Sequence, residues 1–113
     1  MLGKLNALAV YITWIFLLSL TLGLVGIMLE IEILAILTLV GFAGAVVFGL
    51  IHFALSFFVR CPSCKKMLTS QGLKKPEYEG NTTINGWSYV VIKWFSGSVS
   101  CIHCGHRVNT NAL

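Results

Sequence analysis

The chain begins with two long apolar stretches separated by a single polar break. From Leu5 to Leu29 no residue is charged, a run of 25, and from Ile33 to Val59 there is again none, a run of 27. An α-helix rises ~1.5 Å per residue, so ~20 residues cross a hydrocarbon core of ~30 Å. Each run therefore predicts a helix long enough to span a bilayer with some tilt. As helices buried in a soluble core, the pair would need more covering than the rest of the chain supplies. The first run is also longer than the roughly 7–15 residues of a signal-peptide core, and no small-x-small cleavage site precedes the second. It is expected to be retained. The break, Glu30-Ile31-Glu32, is so short that the two helices must be antiparallel neighbours.

Two features mark these spans. Gly41, Ala45 and Gly49 recur every four residues on one face of the second run, and Ser19 and Gly23 do so on the first. Small residues at this spacing let helix backbones approach closely in lipid, which predicts a packing seam, within the hairpin or with another chain. His52 is the only ionisable group well inside the second span. A hydrogen bond to Tyr11, Thr13 or a backbone carbonyl is the expected arrangement, with partner contact, proton transfer and haem ligation as functional alternatives.

Beyond Val59 the pattern changes. Met67 to Gly86 is mostly polar, broken by Gly72, Pro76, Gly80 and Gly86. Trp87 to Phe95 is rich in β-branched and aromatic residues and predicts a strand. Ser96-Gly97-Ser98 predicts a turn, Val99-Ser100 leads into a cysteine pair, and the tail Asn109 to Leu113 is expected to fray. The chain thus divides into a transmembrane helical hairpin, residues 1–59 with spans near 5–29 and 33–59, and a small β-rich domain, residues 60–113.

Composition fits this division: 57% of residues are hydrophobic and 11% charged, with a mean hydropathy of +0.86, against about 25% charged in a typical soluble domain. Charge fixes the orientation. Residues 1–59 hold only Lys4, Glu30 and Glu32, whereas residues 60–113 hold seven Lys/Arg against Glu77 and Glu79. The positive-inside rule then puts both termini in the cytoplasm, as a multi-pass protein of the inner (cytoplasmic) membrane. With no linker after Val59, the basic domain should lie against anionic headgroups, at about 1 kcal/mol per cation near the surface. The predicted strand is apolar on both faces, so one face should meet lipid or a partner. Asn81-Thr82-Thr83 fits a glycosylation sequon, which the cytoplasmic side would leave unused.

The chemistry lies in four cysteines. Cys61-Pro-Ser-Cys64 and Cys101-Ile-His-Cys104 are two Cys-x-x-Cys elements with 36 residues between them. Each can turn the chain so that both thiolates face one ion, and two together complete a tetrahedral Cys₄ site suited to one structural Zn²⁺. Gly105 permits the left-handed turn that lets amides approach the sulfurs. Disulfides would require an oxidising compartment, and a redox Cys-x-x-Cys is expected beside a βαβ pattern, which is absent. An iron–sulfur cluster uses the same four thiolates, and residue type alone leaves it open. His103 and His106 are expected at the surface rather than as ligands.

From Arg60 to Val108 the pattern resembles the zinc ribbon family, on Cys61, Pro62, Cys64, Cys101, Cys104, Gly105 and the predicted strand before the second cysteine pair. The resemblance implies two knuckles joined through antiparallel strands. Lys65 stands where a glycine usually follows the first pair, and the gap exceeds the usual ~15–20 residues, which implies an extra hairpin or loop.

No catalytic set is visible: aspartate is absent, no nucleophile has a base, and four cysteines saturate a tetrahedral ion. The expected function is therefore non-catalytic, an accessory subunit of a membrane complex whose partners are the lipid bilayer and other integral membrane subunits or a second copy. The alternatives are a homo-oligomer whose basic domain recruits nucleic acid or an acidic protein, and a small transporter or pore. The membrane alone accounts for the basic charge, which argues against nucleic acid, and the spans offer few polar lining residues for a pore.

Overall fold

The structure is a computed structural model and describes residues 1–70 and 87–113. Gly72, Pro76, Gly80, Gly86, Glu77, Glu79, the sequon at Asn81 and the expected extra hairpin lie outside the described residues. The chain divides into two compact units, Leu8–Ile51 and, together, Met1–Ala7 with His52–Leu113.

Two helices run through the first half, α1 (Leu2–Met28) and α2 (Glu32–Ser56). Both are long and apolar enough to cross a membrane. Only 17% of the most apolar stretch of α1 and 6% of that of α2 is buried, unlike a helix in a soluble core. The link between them is a tight cap. Ile31 N–H donates to the Gly26 carbonyl at 2.9 Å and Glu30 N–H to the Ile27 carbonyl at 3.1 Å. These are the 6→1 and 5→2 bonds of a Schellman motif, with Glu30 at φ 58° in the left-handed position where glycine is usual. Glu32 then opens α2, its carboxylate favourably placed at the helix's positive end.

The unit Leu8–Ile51 packs through small residues, though not all those expected. A Cβ at Gly41 would lie 2.7 Å from the Phe16 carbonyl oxygen and 2.8 Å from Leu20 Cα, and one at Gly23 would collide with the Thr38 backbone. Gly44 lies under the Phe16 ring, which stacks on Phe48 with centroids 5.6 Å apart. Ser19 Oγ donates to the Leu37 carbonyl at 3.3 Å. The seam therefore joins the two helices of one hairpin. Gly49 is not part of it, since nothing lies within 4 Å of its absent Cβ. One turn beyond Ala45 it has left the line along which the helices touch.

The unit containing the cysteines has a two-stranded antiparallel sheet, β1 (Ser98–Ser100) and β2 (Arg107–Asn109), in the register Val99↔Val108. Ahead of it, Trp87 to Phe95 is not a strand. Trp87–Lys93 forms a helix, α3, and Trp94–Ser96 a 3₁₀ turn. Val90, Val91 and Trp94 are buried while Ile92 and Phe95 are 53% and 58% exposed. That is burial at i, i+1 and i+4, one face of a helix; alternation would have buried Ile92 with Val90 and Trp94. Burial of that face overrides the β propensity of the residue types. The tail is not frayed either. Thr110 is 1% exposed, its N–H donates to the Gly97 carbonyl at 3.1 Å, and its hydroxyl donates to the Trp94 carbonyl at 2.7 Å.

Candidate metal centre

Each cysteine pair sits at the tip of a small hairpin, and the two hairpins repeat one hydrogen-bond pattern. Cys61 N–H donates to the Lys66 carbonyl at 2.9 Å and Lys65 N–H to the Cys61 carbonyl at 2.9 Å. Cys101 N–H likewise donates to the His106 carbonyl at 2.8 Å and Gly105 N–H to the Cys101 carbonyl at 2.9 Å. The legs are the isolated bridge Arg60↔Met67 in one case and β1–β2 in the other. The repeat needs a left-handed residue after the second cysteine, supplied by Gly105 at φ 72° and by Lys65 at φ 60°. Lys65 thus adopts the backbone that glycine adopts more readily, at about 1–2 kcal/mol. Past that turn, the amides of Lys66 and His106 donate to the sulfurs of Cys64 and Cys104. His103 N–H donates to Cys101 Sγ at 3.4 Å.

Facing tips bring the four sulfurs together. Cys61 Sγ lies 3.8 Å from Cys104 Sγ, Cys64 Sγ 3.7 Å from Cys101 Sγ, and all four donor atoms fall within 4.8 Å of one another. An ion about 2.3 Å from four tetrahedral sulfurs sets sulfur–sulfur edges of about 3.8 Å. A disulfide would require about 2.05 Å, and all four cysteines are free. The set can hold a metal ion. The arrangement grades from buried Cys61 and Cys101 through half-buried Cys64 to exposed Cys104.

The thiols differ accordingly. Burial pushes the Cys101 thiol up to about 12 in spite of the amides of His103 and Cys104. Cys64 is also raised, chiefly by desolvation. At Cys104 the desolvation is outweighed by the His106 amide and the neighbouring thiols, which bring it down to about 7. Four thiolates this close repel one another, so a bound cation is what allows all four to be deprotonated together.

His103 and His106 are outside the cluster, half-buried and exposed respectively. His52 pairs with Asn6 rather than with Thr13. Its Nδ1 lies 2.7 Å from Asn6 Oδ1, and Asn6 Nδ2 donates to Thr69 Oγ1 at 2.5 Å. With Asn6 Nδ2 committed to Thr69, its Oδ1 accepts and His52 Nδ1 carries the proton. Thr13 instead donates to the Ala9 carbonyl of its own helix at 2.8 Å. Asn6 and Thr69, both 0% exposed, were the residues that sequence reasoning missed. The available signal was an amide within the apolar run of α1, near the end that antiparallel pairing brings to His52. This chain ties α1, α2 and the exit of the first cysteine hairpin together.

Comparison with protein-family models, with curated proteins and with solved structures gives no match.

Proposed function

We propose that this chain is a non-catalytic accessory subunit of a membrane complex, a two-helix hairpin spanning the bilayer with a zinc-stabilised interaction domain on the cytoplasmic side. The observation that carries the reading is the four-sulfur cluster. Its 3.7 and 3.8 Å edges suit a single tetrahedral ion, and an all-thiolate set favours zinc among common cellular ions. A cluster of several irons would occupy the space among its ligands and hold the sulfurs further apart. With all four positions taken by protein, no site remains for substrate or activated water, which favours a structural role.

The apolar surfaces of α1 and α2 support membrane insertion. Leu18, Ile36, Leu39, Phe42 and Leu50 are each more than 60% exposed, an arrangement that lipid accommodates and water does not. Lys4 and the cations after Val59 support a cytoplasmic domain, against a loop that carries only Glu30 and Glu32.

Purification of the tagged full chain in mild detergent tests both halves. Elemental analysis should find one zinc per chain, lost when any of Cys61, Cys64, Cys101 or Cys104 becomes serine, and mass spectrometry should find a discrete set of membrane partners. Iron in place of zinc would overturn the metal assignment. Recovery of the chain alone, as one defined oligomer, would overturn the subunit reading.

A further inference from the structure

We propose that α3 is an interfacial membrane anchor, whose exposed edge beds the cysteine-bearing unit into the anionic leaflet at the cytoplasmic end of the hairpin. The inference rests on the membrane-spanning reading above and specifies which surface meets lipid.

The buried side chains of α3 and of the 3₁₀ turn that follows it, Val90, Val91 and Trp94, are committed to the core of their own unit. Trp94 also fixes where α3 lies: its ring covers Gly3, where a Cβ would stand 3.0 Å from Trp94 Cη2. The 3₁₀ turn that follows α3 is therefore held against the first turn of α1, which on the membrane-spanning reading is the cytoplasmic end of that span. The opposite edge carries Ile92 and Phe95, 53% and 58% exposed, with Lys93 exposed between them. An apolar pair flanking a cation suits the boundary between headgroups and acyl chains, where apolar side chains bury and a lysine reaches the phosphates.

Charge identifies lipid as the occupant. The described residues of this unit include Lys4, Arg60, Lys65, Lys66, Lys93 and Arg107 and no aspartate or glutamate. Among the described residues the unit's side chains carry only positive charge, which is complementary to an anionic leaflet. Phe58, just beyond the end of α2, adds a further apolar side chain to this unit that is 72% exposed.

The test uses full-length, zinc-loaded protein in phosphatidylcholine vesicles with and without phosphatidylglycerol. A photo-reactive benzoylphenylalanine is placed at position 95, at position 92, or at position 39 as a reference on the exposed side of α2. Retention of zinc certifies that each variant is folded. Lipid adducts at 39 and at 95 or 92 are expected, and Lys93→Glu should lower the yield at 95 about fivefold in vesicles containing phosphatidylglycerol. Lipid adducts at 39 with none at 92 or 95, or crosslinks from those two to protein alone, would overturn the anchor and leave the hairpin standing. A yield at 95 that ignores both Lys93→Glu and phosphatidylglycerol would overturn the electrostatic part. Absence of lipid adducts at 39 would instead sink the membrane-spanning reading.

Discussion

Replacing Asn6 with leucine should destabilise the cysteine-bearing unit without touching a sulfur. Asn6 is fully buried and makes two side-chain hydrogen bonds, to Thr69 at 2.5 Å and from His52 at 2.7 Å. Leucine fills a similar volume, so the effect is mainly polar. It strands the Thr69 hydroxyl and the His52 N–H in places water does not easily reach. A buried group left unsatisfied costs about 1–3 kcal/mol, whereas hydrogen bonds between membrane helices average ~0.6 and reach ~1.7 kcal/mol. With two groups stranded at the helix ends, about 2–3 kcal/mol is expected. The assay is urea unfolding of the zinc-loaded full chain in detergent, followed by zinc release to a chromophoric chelator. The double-mutant logic makes it sharper. Thr69→Val added to Asn6→Leu should cost less than the sum of the singles, because removing both partners leaves nothing stranded between them. A loss below ~0.5 kcal/mol for Asn6→Leu, or strict additivity with Thr69→Val, would refute the claim that this amide ties the parts together.

Two further outcomes follow from local geometry. Gly41→Leu should loosen the hairpin by about 1–3 kcal/mol, because its Cβ would collide with the Phe16 and Leu20 backbone; Gly49→Leu should be tolerated in the isolated hairpin, and a crosslink between engineered cysteines on the facing helices, in a background where the native four are zinc-bound, reads the difference. At the metal hairpins, Gly105→Val should weaken zinc retention by about 1–2 kcal/mol, since valine resists φ 72°. Lys65→Gly should be neutral or stabilising, and equal zinc-release midpoints for Gly105→Val and the parent would dismiss the left-handed requirement.

Much of the outline was legible because it depends on one-dimensional patterns. Uncharged runs marked α1 and α2, Glu30 and Glu32 marked the turn, and the spacing of Cys61, Cys64, Cys101 and Cys104 foretold sulfurs on common centres. What escaped depends on the partner a residue meets. Trp87 to Phe95 combines β-branched and aromatic residues that fit either structure, and only the burial of Val90, Val91 and Trp94 on one side selects a helix. Gly41 and Gly49 look equivalent by spacing, yet only Gly41 faces the other helix. The bond between His52 and Asn6 was not foreseen because it required the register of two helices. Thr13, an apparent candidate, bonds within its own helix, while Asn6 lies more than one turn away toward the start of α1.

The grouping of Met1–Ala7 with the cysteine hairpins changes how the metal's contribution should be understood. A domain this small gains much of its folding free energy from its ion, on the order of 10 kcal/mol for structural zinc. Here the apolar core of the same unit draws on both helices' ends: Gly3 lies under Trp94, Ala7 is fully buried, and Val59 sits with Leu68 at the base of the first hairpin. Leu68 N–H donates to the Val59 carbonyl at 3.1 Å, so the backbone leaving α2 is itself a leg of that hairpin. A bound ion would therefore do more than close two loops. By holding Cys61 and Cys64 to Cys101 and Cys104, it would fix the hairpin that presents Thr69 to Asn6, which in turn accepts from His52. The cysteine tips and the polar bridge act on the same short segment, Val59 to Thr69, from opposite ends. Held at both ends, such a segment would be more rigid than either constraint alone would make it.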